Sequence, residues 1–128
     1  MVDYRQPFSG FSVRDVVEAA AFYADVLGLD ATVDENGMGR IELGDGHGVL
    51  FYPKGDGHEP ASFTVLNLPV DDVSTAVREL SGRGVAFERY ERYEQMPQDD
   101  DGVMKGNGPD IAWLTDPSGN VFSVIAAE

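Results

Sequence analysis

The chain has 128 residues, the size of one compact domain; 42% of them are hydrophobic and 25% are charged, which excludes a disordered or fibrous protein. The absence of cysteine excludes thiolate metal sites, thiol catalysis and redox switching. The formal net charge of −14 argues against binding to nucleic acid or to an anionic membrane, because both need a basic patch. No apolar run is long enough to cross a bilayer, and the N-terminus lacks the features of a signal peptide, so we expect a cytoplasmic protein.

The first half of the chain predicts a strand, a helix and three further strands. Residues 8–14 alternate between apolar and polar types, as a half-buried strand does. Asp15 and Glu18 form a capping box, and apolar residues at helical spacing continue to Leu27, where Gly28 is placed to end the helix. Strands are predicted at 30–34, 39–43 and 49–52, with turns at 35–37 and 44–46.

The second half repeats this order. A strand at 63–68 precedes a helix that Asp72 caps and Gly84 ends. Three strands follow, at 85–90, 111–115 and 121–125. The chain is therefore a duplicated βαβββ unit rather than a long repeat array, since only two copies are present.

This repeat predicts the domain organisation and the fold class. Two βαβββ modules, at 7–53 and 61–127, are joined by a polar linker at 54–60 and form a single domain of 128 residues. The fold class is α+β.

Two motifs make the chain resemble the glyoxalase, bleomycin-resistance and extradiol-dioxygenase superfamily, the vicinal oxygen chelate proteins. They are the opening Val13-Arg14-Asp15 with Ala21-Phe22-Tyr23 and Leu27-Gly28, and the closing Asp116-Pro117-Ser118-Gly119-Asn120. The resemblance covers about residues 7–127. It implies a curled, half-open mixed β-sheet around a cavity, with the helices on the outside, and it implies a homodimer.

The resemblance also implies where enzymes of the superfamily hold a divalent metal. Their ligands are His, Gln or Glu on the first and last strand of each module. The corresponding residues here are Phe8, Leu50, Val65 and Ser123. The first three have no donor atom and a lone serine hydroxyl is a poor ligand, so we predict no metal, no other cofactor and no catalytic residue.

Other chemical signals in the sequence are weak. His47 and His58 are interpreted as exposed loop residues rather than as metal ligands or general bases. The acidic run at 98–102 lacks the downstream glutamate of a calcium loop, and the glycines of 106–109 do not join a strand to a helix as a phosphate loop would.

Strand alternation predicts which side chains line the cavity. One face of each sheet packs under the helices, and the other is mostly apolar and aromatic with a few hydrogen-bonding groups, which is typical of a small-molecule pocket. The predicted ligand-binding residues are Phe8, Ser12, Arg40, Leu50, Tyr52, Val65, Asn67, Arg92, Trp113 and Ser123. Arg92 lies on the long loop at 92–107, which is interpreted as a lid.

Three functional interpretations follow. The favoured one is a metal-independent small-molecule-binding protein of the glyoxalase/bleomycin-resistance type, which sequesters or carries a small aromatic or amphipathic ligand. The alternative is a metal-dependent glyoxalase-like isomerase or lyase, or a ring-cleaving dioxygenase, in which a metal polarises a substrate oxygen. The third is an interaction module with a vestigial pocket. The residues at the four metal positions and the apolar wall favour the first.

Overall fold

A computed structural model of the protein describes residues 1–90, 97–106 and 108–128. The chain divides into two compact units, Met1–Pro60 and Ala61–Glu128. Each unit has a helix packed on a mixed sheet, and the predicted α+β class is confirmed. Within the described residues, no helix is both long enough and apolar enough to span a membrane.

The first unit contains one helix and a four-stranded sheet. Its elements are β1 (Ser9–Val13), α1 (Val16–Ala21), β2 (Asp30–Val33), β3 (Gly39–Gly44) and β4 (His47–Pro53). The strand order is β1-β4-β3-β2, in which β1 runs parallel to β4 and the other pairs are antiparallel. The predicted cap is confirmed, because the Asp15 carboxylate accepts a hydrogen bond from the Glu18 amide at 3.1 Å.

The last turns of the first helix differ from the prediction. After α1 the chain continues as a π-helical segment, Phe22–Val26, in which the Leu27 amide donates to the Phe22 carbonyl at 3.1 Å. This segment contains Tyr23, which is fully buried. The Tyr23 ring meets the ring of Phe51 edge-on at 5.0 Å, so the widened turn supplies an aromatic side chain to the core.

The buried layer of the first sheet follows the predicted alternation. Its members are Phe11, Val13, Ile41, Val49 and Phe51, each less than one tenth exposed. Gly39 lies beside Phe51 in the β3–β4 register, and a Cβ atom at Gly39 would overlap the Phe51 ring. The absence of a side chain at Gly39 therefore makes room for this ring.

The second unit has the same plan with three strands. Its elements are β5 (Thr64–Val70), α2 (Val73–Gly82), β6 (Ile111–Thr115) and β7 (Val121–Ala126). The strand order is β5-β7-β6, in which β5 is parallel to β7 and β6 is antiparallel to β7. Asp72 caps α2 by accepting from the Thr75 amide at 3.2 Å, as predicted.

The predicted strand at 85–90 is wrong. This segment meets the sheet at a single antiparallel bridge between Phe87 and Leu114, where the Glu88 amide donates to the Trp113 carbonyl at 2.7 Å. The side chain of Gln98 instead takes up the neighbouring backbone groups: its Oε1 accepts from the Tyr90 amide at 2.6 Å, and its Nε2 donates to the Glu88 carbonyl at 3.0 Å. A side chain thus satisfies groups that a strand neighbour would otherwise have paired.

The closing motif forms a buried turn. Asp116 is 4% exposed, and its Oδ1 accepts from the amides of Ser118 at 2.9 Å and Asn120 at 2.8 Å. The Asn120 side chain donates to Asp116 Oδ2 at 3.3 Å and accepts from the Ala61 amide at 3.0 Å. The motif therefore joins the β6–β7 turn to the segment that begins the unit.

Candidate functional site

The face of the first sheet that lies opposite its buried layer carries four predicted binding residues. Arg40 and Leu50 are direct partners in the β3–β4 register, and Ser12 and Tyr52 are direct partners in the β1–β4 register. All four are half-buried. The structure thus brings these residues together on one surface, and their contact with a ligand stays a prediction.

A cavity of about 270 Å³ lies at one end of this unit. Its lining comes from the segment before β1, from β3, and from the β3–β4 turn with the start of β4. The lining residues are Gln6, Pro7, Phe8, Arg40, Asp45, Gly46, His47 and Gly48. Two of them, Phe8 and Arg40, belong to the predicted set.

Arg40 is held in place on the cavity wall. Its Nε donates to Glu42 Oε1 at 2.5 Å, and one terminal nitrogen donates to the Gly46 carbonyl at 3.2 Å. The guanidinium lies over Gly48, where a Cβ atom would come within 2.5 Å of Arg40 Cζ. A glycine at this position therefore allows the guanidinium to lie close against β4.

This ion pair changes the acid–base properties of both partners. The hydrogen bond from Arg40, assisted by its charge, holds the pKa of Glu42 below its ordinary value, and the Glu42 carboxylate raises the pKa of Arg40. The pair thus stabilises the folded state at pH values above the pKa that Glu42 has in the unfolded chain. That stabilisation is lost as the pH falls through the lower folded pKa.

We expect a carbon-detected NMR titration of the Glu42 carboxyl to give a pKa below the ordinary glutamate range. In Arg40→Gln the same carboxyl should titrate at a higher pH, because the charged donor is gone. Equal titration curves in the two proteins would contradict this assignment of the ion pair.

The rest of the polar cavity wall comes from residues that the sequence analysis did not select. Asp45 and Gly46 both have positive φ, of 52° and 76°, as the two-residue hairpin turn requires. Next to the turn, His47 is exposed, as predicted. Among the described residues, nothing hydrogen-bonds the side chains of Gln6 and His47, so both can serve a ligand. The glycine-rich turn sequence at 44–48 was the only signal for this wall.

The expectation that His58 is an exposed loop residue is wrong. A short 3₁₀ turn, Gly55–Gly57, returns the chain toward β1, and His58 is half-buried. Its Nδ1 lies 2.8 Å from Ser12 Oγ. Ser12 lies on the open face, the face of the first sheet opposite its buried layer, and its hydroxyl is hydrogen-bonded to the linker.

In the second unit, three predicted residues form one row across the sheet. Asn67, Ser123 and Trp113 are register partners on β5, β7 and β6. Asn67 is exposed, whereas Ser123 is fully buried and Trp113 is 9% exposed. The Tyr90 ring meets Trp113 edge-on at 5.3 Å. The row thus offers an accessible amide at one end and aromatic packing at the other.

The remaining predicted residues are Val65 and Arg92. Val65 is half-buried at the irregularity in the β5–β7 register. Arg92 and the first part of the predicted lid lie outside the described residues. The described part of that loop, 97–106, is held by internal hydrogen bonds: the Asp99 carboxylate accepts from the amides of Asp101 and Val103 at 2.9 and 3.0 Å.

The acidic loop is thus organised by its own backbone. Burial acts to raise the pKa of Asp99, but the amides of Val103 and Asp101 together with Lys105 outweigh it, so this pKa is lowered. Lys105 Nζ lies 3.4 Å from the Asp99 carboxylate. Within the described part of the chain, no three His, Asp or Glu side chains are grouped so that they could hold a metal ion.

The four positions that the resemblance assigns to metal ligands carry side chains that do not fit a metal. Phe8, Leu50 and Val65 carry no donor atom. Ser123 Oγ donates to Asn67 Oδ1 at 2.5 Å, and Ser123 is fully buried. A hydroxyl used in this way is not placed to act as a ligand.

The sequence matches one protein family over most of its length. Residues 8–124 match the family model of the Glyoxalase/Bleomycin resistance protein/Dioxygenase superfamily. The chain belongs to this superfamily. No curated protein matches the sequence significantly.

Solved structures share the fold at low sequence identity. TnmS3, an antibiotic binding protein from Streptomyces sp. CB03234, is 22% identical over 99% of this chain and 100% of its own, with a TM-score of 0.69. A glyoxalase/bleomycin resistance protein from Catenulispora acidiphila is 22% identical over 95% and 97%, with a TM-score of 0.61. Oxidase ChaP-H2 is 16% identical over 99% and 96%, with a TM-score of 0.63. An antibiotic binding protein and an oxidase thus share one fold, so fold alone does not assign the activity.

Proposed function

We propose that the protein binds a small aromatic or amphipathic molecule without using a metal, and that it sequesters or carries this ligand without changing it. The observation that carries the proposal is the set of side chains at the four superfamily metal positions, which offers no usable donor. The fold shared with the antibiotic-binding TnmS3 is consistent with such a role.

The surface chemistry of the first unit supports a ligand of this type. Leu50 and Tyr52 are half-buried and Phe8 is 69% exposed, so they offer apolar and aromatic contact area. Ser12 and Arg40 add hydrogen-bonding groups that are already oriented by their partners. A surface that combines apolar and aromatic contact area with fixed polar groups suits a small organic molecule.

Native mass spectrometry of protein purified without added metal or chelator tests this proposal first. We expect the bare mass or an organic adduct. About one divalent ion per chain would overturn metal independence. A thermal-shift screen of aromatic compounds then tests binding, since a ligand at a hundred times its Kd stabilises a protein by about 2.7 kcal/mol.

A matched pair of variants locates the binding surface. We expect Leu50→Gln to lose most of the stabilisation by any compound found, because it places a polar side chain on the open face. Leu43→Gln serves as the control, since Leu43 is 50% exposed and lies outside the predicted set. Equal loss in both variants, or no stabilising compound in the wild-type screen, would count against the proposed function.

We also infer that the protein works as a cytoplasmic homodimer. β2 is an edge of the four-stranded sheet, and unpaired strand edges favour association. Light scattering should give about twice the chain mass of 13.9 kDa, and a monomer at micromolar concentration would contradict the dimer.

A further inference from the structure

The cavity at the end of the first unit is surrounded by polar groups that the fold itself does not use. Every residue that lines it belongs to the unit Met1–Pro60. Among the described residues, no hydrogen bond or ion pair engages the Gln6 amide, the Asp45 carboxylate or the His47 imidazole. Hydrogen-bond donors and acceptors are therefore available around one small space.

Arg40 adds a fixed donor to this wall. Glu42 accepts from its Nε at 2.5 Å and from its Nη2 at 3.4 Å, and the Gly46 carbonyl accepts from Nη2 at 3.2 Å. These bonds use the side of the guanidinium that lies nearest to Gly48. No residue in the described part of the chain accepts from Nη1, so its two N–H groups remain for a ligand.

The charges around the cavity disfavour an ionic ligand. Glu42 already neutralises Arg40, and Asp45 adds a negative charge to the wall of a chain whose net charge is −14, so an anion would be repelled. A metal cation would lack ligands, since no three His, Asp or Glu side chains of the described residues are grouped to hold one. An uncharged polar group is therefore favoured.

Hydroxyl groups match this wall best. The Asp45 carboxylate only accepts and Arg40 Nη1 only donates, whereas Gln6 and His47 can do both. A hydroxyl group donates and accepts at a single atom, so neighbouring hydroxyls on one ring can serve both kinds of wall group. The exposed ring of Phe8 adds an apolar surface for the C–H face of such a ring.

The size of the cavity limits what it can hold. Its volume of about 270 Å³ lies below the roughly 300–1,000 Å³ of pockets that enclose a whole drug-sized ligand. Arg40 also belongs to the open face, where it is the register partner of Leu50. A ligand can thus place one ring in the cavity and its apolar part beside Leu50.

We propose that the cavity receives an uncharged, polyhydroxylated ring, such as a sugar residue, whose aromatic substituent lies on the open face, so that the ligand is an aromatic glycoside. This inference rests on the proposed binding function and specifies the ligand class. It assigns hydroxyl recognition to Arg40 and Asp45 and contact with the ring face to Phe8.

A set of coumarin probes tests the inference by NMR titration of the nitrogen-labelled protein. Four are uncharged 4-methylumbelliferyl glycosides: the β-glucoside, β-galactoside, α-mannoside and β-xyloside. Another, 7-methoxy-4-methylcoumarin, has the same aromatic part without the sugar, and the last, 4-methylumbelliferyl β-glucuronide, adds a carboxylate to the glucoside.

We expect at least one uncharged glycoside to bind about tenfold more tightly than the methoxycoumarin, because it adds hydrogen bonds in the cavity. That glycoside should shift the backbone amide signals of residues 6, 8 and 45–48, which line the cavity. The glucuronide should bind more weakly than the glucoside, because its carboxylate meets Asp45 and Glu42.

Asp45→Asn tests the recognition of hydroxyl groups. Asparagine tolerates the positive φ of this turn position, so the variant should fold normally. It replaces a charge-assisted acceptor with a neutral one, and we expect glycoside affinity to fall about fivefold while methoxycoumarin affinity stays unchanged. Asp56→Asn, an exposed turn position of the same unit outside the cavity, is the control for the lost charge.

Three results would overturn the inference. They are glycosides that all bind no more tightly than the methoxycoumarin or leave the cavity signals unshifted, a glucuronide that binds more tightly than the glucoside, and equal glycoside affinities in the two aspartate variants. Each would leave the proposed function intact. The proposed function fails separately, through an absence of binding in the wider aromatic screen described above.

Discussion

Replacement of Asp116 by alanine is expected to lower the free energy of unfolding by about 3 kcal/mol, because buried N–H groups left without an acceptor each cost about 1–3 kcal/mol. The carboxylate is 4% exposed and accepts from the amides of Ser118 and Asn120. It also accepts from the side chain of Asn120, whose oxygen binds the Ala61 amide. Removal of Asp116 therefore loosens both the turn and its link to Ala61.

Urea-induced unfolding measures this loss. Asp116→Asn should be intermediate, because it keeps one acceptor oxygen in nearly the same volume. Asp71→Ala is the control, since Asp71 is exposed and its replacement should change the free energy of unfolding by no more than about 0.5 kcal/mol. Equal stability of Asp116→Ala and this control would contradict a structural role for the turn.

Gly39→Ala is expected to destabilise the first unit by about 3 kcal/mol, at the upper end of the usual cost of overpacking a core. A methyl group at this position would overlap the ring of Phe51, which is fully buried. The ring cannot move freely, because it also contacts Tyr23 at 5.0 Å and Phe11 at 6.2 Å between ring centroids.

The chain offers a matched glycine for comparison. At Gly57, apart from the residue itself and its two chain neighbours, no atom of the described residues lies within 4 Å of the position that a methyl group would take, and φ is not positive. Gly57→Ala should therefore have a free energy of unfolding close to that of the wild type. In the double variant Gly39→Ala/Phe51→Leu, the smaller side chain should recover part of the loss caused by the methyl group. A Gly39→Ala protein as stable as Gly57→Ala would show that the core adapts without cost.

Local signals in the sequence were sufficient for most of the fold. The caps at Asp15 and Asp72 bond to amides three residues away, so their patterns lie within one helical turn. Alternation placed Phe11 and Phe51 correctly, because a strand with one buried face repeats every two residues. The segment 85–90 was misassigned because it meets β6 at one bridge only, and Gln98, from a separate segment, bonds the Tyr90 amide and the Glu88 carbonyl.

The candidate site was less predictable because its features depend on tertiary contacts. The register partners Asn67 and Ser123 were both selected, but their hydrogen bond joins residues 56 positions apart. The bond between Ser12 and His58 spans 46 positions and left no local pattern. The cavity beside Arg40 needs the segment before β1 and a hairpin turn to meet, and neither segment alone encodes that meeting.

The alternation of side chains along these strands separates two evolutionary constraints. On β4, Val49 and Phe51 are buried, whereas Leu50 and Tyr52 belong to the opposite face. Packing constrains Val49 and Phe51. Changes at Leu50 and Tyr52 alter the surface at a smaller cost in stability. The two units repeat the same pairing of neighbouring strands. Leu50 is the register partner of Arg40 in the first unit, and Ser123 is the register partner of Trp113 in the second. In the second unit Ser123 and Trp113 are themselves buried, so packing constrains them as well. Mutation can therefore change recognition at Leu50 and Arg40 of the first unit while the buried positions between them stay the same.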